Sequence, residues 1–68
     1  MKISKREYIN DLEYKIKWFT ELVNDKKTFR HWVMGEQLTR YQIKQILDEN
    51  QDEKLKIESD KNYKPWND

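Results

Sequence analysis

The chain has no cysteine and no alanine, and only one glycine and one proline among its 68 residues. Without cysteine there is no disulfide framework, no thiolate nucleophile and no cysteine-based zinc site. A single glycine excludes a glycine-rich phosphate loop. The sole histidine, His31, stands beside Arg30 and reads as an exposed or edge-packed side chain. With Ser4 and Ser59 as the only serines, no nucleophile and base are framed, and scattered carboxylates do not supply metal ligands at a recognised spacing. Long apolar runs are missing as well. The longest, Trp32-Val33-Met34, is far short of the roughly 20 residues of a membrane span, and Met1-Lys2-Ile3-Ser4-Lys5 lacks the apolar stretch of a secretory signal. These absences predict a soluble cytoplasmic protein with no enzymatic activity and no cofactor.

Charge is plentiful but balanced, with fourteen basic and thirteen acidic residues for a net +1. Any grip on nucleic acid must therefore be local. Apolar residues make up 35% of the chain, and a domain this small conceals only about 60% of the surface its unfolded form exposes. Self-association is the usual remaining source of stability, so a homodimer is expected. Abundant Lys, Asn, Ile and Tyr with no Ala is the bias of AT-rich coding sequence, which points to a low-GC bacterium or one of its phages.

The opening segment reads as an amphipathic helix from about Lys5 to Val23. Ser4 and Glu7 have capping-box spacing, and Ile9, Leu12, Ile16, Phe19 and Val23 recur at helical intervals within a sector of roughly 80°. Tyr14, Trp18 and Leu22 form a second row about 120° away. That row is either covered within one monomer or is an interface, with large aromatics as its anchors. Asn24-Asp25-Lys26-Lys27 suits a turn. Thr28 is read as the cap of a short second helix carrying Phe29, Trp32 and Val33, closed by Gly35. Thr39 and Gln42 form another capping box, with Leu38 and Ile43 as a hydrophobic staple, so a third helix starts at Arg40. Ile43, Ile46 and Leu47 give its first half an apolar stripe, whereas the second half, where Lys54, Ile57 and Lys61 continue that stripe, is expected to fray. The heptad Ile43, Asn50, Ile57 fails at Glu53 and Asp60, which excludes a coiled coil.

The expected fold is therefore an all-α, three-helix domain over residues 1–57, with a polar tail over 58–68. Its predicted core is Ile9, Leu12, Ile16, Phe19, Phe29, Val33, Ile43, Ile46 and Leu47. Tyr63 and Trp66 in the tail either fold back on the helices or act as a short peptide ligand. Tyr41, opposite the apolar stripe, is expected to be exposed.

Leu38-Thr39-Arg40-Tyr41-Gln42-Ile43-Lys44-Gln45-Ile46-Leu47 resembles the recognition helix of helix-turn-helix DNA-binding proteins, over residues 28 to 49. The resemblance implies a transcription regulator in which Thr39, Arg40, Gln42, Lys44 and Gln45 face double-stranded DNA. Lys26, Lys27 and Arg30 would add phosphate contacts. The competing expectation is a dimeric module that binds a host or regulatory protein through Tyr14, Trp18, Leu22, Tyr41 and Trp66, without touching DNA.

Overall fold

The structure, a computed structural model, describes residues 2–28 and 30–67. The order of elements is α1 (Lys5–Asn24), β1 (Arg30–Val33), β2 (Glu36–Thr39) and α2 (Arg40–Ser59). Both helix starts follow from local chemistry. Ser4 accepts a hydrogen bond from the Glu7 amide, and at Thr39 the complete capping box forms, the hydroxyl taking the Gln42 amide while the Gln42 side chain takes the Thr39 amide.

The three-helix, all-α expectation is overturned, because the segment read as a short second helix is half of a β-hairpin. β1 and β2 pair antiparallel with Arg30 opposite Thr39, His31 opposite Leu38, Trp32 opposite Gln37 and Val33 opposite Glu36. Met34 and Gly35 form the two-residue connection, both at positive φ (52° and 83°), the backbone a tight hairpin with the right-handed strand twist requires. Gly35 thus has its left-handed conformation, but in a hairpin turn and not beyond a helix. A helix of only two turns would bring few hydrogen bonds against a costly nucleus, whereas the hairpin pairs these residues in a ladder.

α1 and α2 run antiparallel. Their ends meet where Arg40 reaches Val23, and further along Tyr8 reaches Glu53 and Glu13 pairs with Lys54. Strand alternation turns Val33 and Leu38 inward. Val33 joins Phe19, Ile43 and Leu47 in the core, with Ile16, Trp18, Leu22, Val23, Leu38 and Ile46 packed around them. Ile43 is fully enclosed. Of the other predicted core residues, Leu12 is buried, Ile9 is half-buried, and Phe29 lies outside the described residues. The principal extents are 40 × 25 × 14 Å, which leaves room for one layer of buried side chains.

The second half of α2 does not fray. Ile57 is buried, and the helix continues unbroken to Ser59, two residues past the expected boundary. The tail folds back. The Ile3 amide donates to the Asn67 carbonyl (2.8 Å), pairing the two ends of the chain in an isolated β-bridge. Trp66 packs at 6.4 Å from the Tyr8 ring, with the Lys5 ammonium 5.5 Å from its centroid. Tyr63 donates to Glu53 and lies beneath the Lys56 ammonium at 4.3 Å.

Candidate nucleic-acid interface

The open end of the hairpin, opposite the Met34-Gly35 turn, gathers five pieces of chain. Arg30, the first residue of β1, pairs with Thr39, the last of β2 and the cap of α2, while Arg40 ties this corner to the last turn of α1. The loop between α1 and β1 is shaped by Asp25, whose carboxylate accepts the Lys27 amide at 3.1 Å. Donation from the Lys27 backbone and the Thr28 side chain holds the Asp25 carboxyl below its ordinary value. Lys26 and Lys27 are left exposed on this loop.

Charge is sorted along the chain. Residues 26 to 47 hold five basic residues, Lys26, Lys27, Arg30, Arg40 and Lys44, against one acid, Glu36. From residue 48 onward, seven acids (Asp48, Glu49, Asp52, Glu53, Glu58, Asp60 and Asp68) outnumber four lysines. The near-neutral total conceals a basic segment followed by an acidic one.

The eight expected DNA-contacting residues come from the loop, the Arg30 and Thr39 end of the hairpin and the first two turns of α2, and they divide into two groups. Lys26, Lys27, Arg30, Lys44 and Gln45 are exposed. Thr39 and Gln42 are engaged with each other in the capping box. Arg40 is half-buried, and its Nε and Nη2 both donate to the Val23 carbonyl, at 3.2 and 3.0 Å. These three residues build the corner instead of projecting from it.

The expected interface residues also separate. Tyr14 is 70% exposed and Tyr41 71%. Trp18 is half-buried, its ring 5.1 Å from that of Phe19, and Leu22 packs on the same core. Trp66 is half-buried against Tyr8.

Sequence reasoning placed Trp32 on the short helix and gave it no role. It stands 69% exposed on the outward face of the hairpin, which it shares with Arg30, Gln37 and Thr39. The strand-favouring Trp32 and Val33 directly ahead of Met34-Gly35 were the signal available for it. On the inward face, the Nε2 of His31 is enclosed with no hydrogen-bond partner.

Among the described residues there is no cluster of His, Asp or Glu able to hold a metal ion, and no helix long and apolar enough to cross a membrane. No protein-family model matches the chain, and comparisons with curated proteins and with solved structures give no match either.

Proposed function

We propose that this protein is a small non-enzymatic regulator that contacts nucleic acid through the basic end of its hairpin. The carrying observation is the surplus of four positive charges over residues 26 to 47, gathered around the Arg30 and Thr39 pair. Lysine and arginine side chains held on one corner neutralise phosphates and release counterions, the sequence-independent part of nucleic-acid affinity. Of the basic residues singled out by the helix-turn-helix resemblance, Lys26, Lys27, Arg30 and Lys44 keep their role here and Arg40 does not, and a strand stands where that motif would have its first helix.

Charge reversal tests this. In fluorescence anisotropy with labelled oligonucleotides at low salt, the double variant Lys26→Glu/Lys27→Glu should lose on the order of ten-fold or more in affinity. Lys61→Glu, just beyond α2 and away from the hairpin, should bind like the wild type. Equal losses from both, or from neither, would overturn the assignment.

A second reading, a homodimeric protein-interaction module, is favoured by Tyr14, which with Lys17, Trp18 and Glu21 lines a shallow cavity of about 240 Å³ on α1. Light scattering separates the two: a mass near 8.6 kDa removes the homodimer, and twice that value supports it.

A further inference from the structure

We infer that the ligand of this end is single-stranded nucleic acid, with Trp32 as a stacking platform for an unpaired base. The inference rests on the nucleic-acid reading above and names the form of the polymer. Its first ground is the ring itself. A chain with six buried hydrophobic side chains among its described residues leaves a tryptophan 69% in solvent. The backbone beneath it is fixed, because Val33 next door is anchored in the core and the ladder sets Trp32 opposite Gln37. The indole is therefore presented by a rigid scaffold, at small ordering cost on binding.

The second ground is complementarity. Lys26 and Lys27 precede β1 by a few residues, Arg30 shares the Trp32 face, and Lys44 lies about one turn into α2. Tyr41, 71% exposed, stands two residues beyond Thr39 in the first turn of α2. Cationic side chains that follow a phosphate backbone, beside rings that accept bases, are what an unpaired strand requires.

The third ground is what the first turn of α2 cannot offer. Reading a duplex in its major groove relies on bidentate donors such as Arg and Gln aimed at base edges. Arg40 and Gln42 are committed to Val23 and Thr39. In a duplex the base faces are already stacked on one another and closed to an indole, whereas an unpaired base offers its face to Trp32.

The test is anisotropy at low salt with labelled oligothymidylate and oligouridylate of about 15 nucleotides and a mixed-sequence duplex of the same length. Wild type is compared with Trp32→Phe, Trp32→Leu and Trp32→Ala, each first checked by far-ultraviolet circular dichroism. The wild type should bind single strands about ten-fold more tightly than duplex. Trp32→Phe should keep most of that affinity, while Trp32→Leu and Trp32→Ala should lose about ten-fold on single strands and nothing on duplex. Trp32→Leu retains apolar bulk without a π-face, so it isolates stacking from burial. Binding of either strand supports the inference, and the relative affinities tell DNA from RNA as the source. Duplex bound as tightly as single strands, or Trp32→Ala without effect, overturns the inference and leaves the charge-based reading standing. No binding to any of the three overturns both.

Discussion

The guanidinium of Arg40 donates through two of its nitrogens to one carbonyl, that of Val23, seventeen residues earlier in the chain. Val23 is in the last turn of α1, where carbonyls have no intrahelical partner and the helix dipole is negative. That last turn contains no basic residue of its own, so the cation arrives from α2. Arg40→Ala should therefore destabilise the fold by about 1 to 2 kcal/mol, lowering Tm by roughly 4 to 16 °C for a domain of this size. Arg40→Lys should recover only part of this, because an ammonium on a flexible stem does not reproduce the planar fork. Thermal melts followed by circular dichroism decide it, and an Arg40→Ala melt superimposable on the wild type would remove the cap from the account.

At the hairpin tip, Met34 holds a left-handed conformation (φ 52°) that costs an L-residue with a long side chain about 1 kcal/mol, and at 82% exposure it gains little packing in return. Asparagine before glycine is the favoured pair for this turn. Met34→Asn should stabilise the protein by about 0.5 to 1 kcal/mol, measured by urea denaturation. Gly35→Ala should do the reverse by a similar amount or more. A Cβ there meets open space, so the penalty is the positive φ of 83° alone.

Glu53 joins α2 to both α1 and the tail, since its Oε1 accepts from the hydroxyls of Tyr8 and Tyr63. Donation to Glu53 pushes the Tyr63 hydroxyl up to about 12, and burial, with the same carboxylate, raises Tyr8. A tyrosine whose folded value lies above its unfolded one, near 10, adds stability below the unfolded value and loses it as pH rises through the folded one. Stability should accordingly decline from about pH 10 to pH 12. Tyr63→Phe should be less stable at neutral pH and show a shallower alkaline decline, as read from melts across that range. Parallel pH profiles for the two proteins would count against the node.

Ile57 is the side chain that makes the far half of α2 a packed helix instead of a fraying one. Ile57→Ala should cost about 2 to 4 kcal/mol, a large share of the stability of so small a domain. Lys61→Ala, on the exposed surface nearby, should change stability by less than about 0.5 kcal/mol. Chemical denaturation of the two variants makes the comparison.

Much of the helical frame was legible because its signals are local. Ser4 with Glu7 and Thr39 with Gln42 mark the starts within one turn, and the spacing of Leu12, Ile16 and Phe19 marks the buried face of α1. The hairpin was not, since Phe29, Trp32 and Val33 at intervals of three and one satisfy a helical stripe as well as Arg30 to Val33 satisfies a strand. The choice is made by tertiary structure: Phe19, Ile43 and Leu47 leave an apolar surface that Val33 joins and Leu38 packs against. Ile57 was hidden among Lys54 and Lys61, and its burial depends on the helix alongside. The basic side chains of the candidate site could be read from the chain. The outward placement of Trp32 needed the strand register, and the commitment of Arg40 needed a partner seventeen residues away.

The most direct test of the central claim is the salt dependence of single-strand binding by the unmodified protein. Three or four phosphate contacts from Lys26, Lys27, Arg30 and Lys44 predict that log K falls with log salt with a slope of about −2 to −3. No binding at about 20 mM salt, or binding that does not weaken as salt rises, would contradict the assignment of this end to nucleic acid.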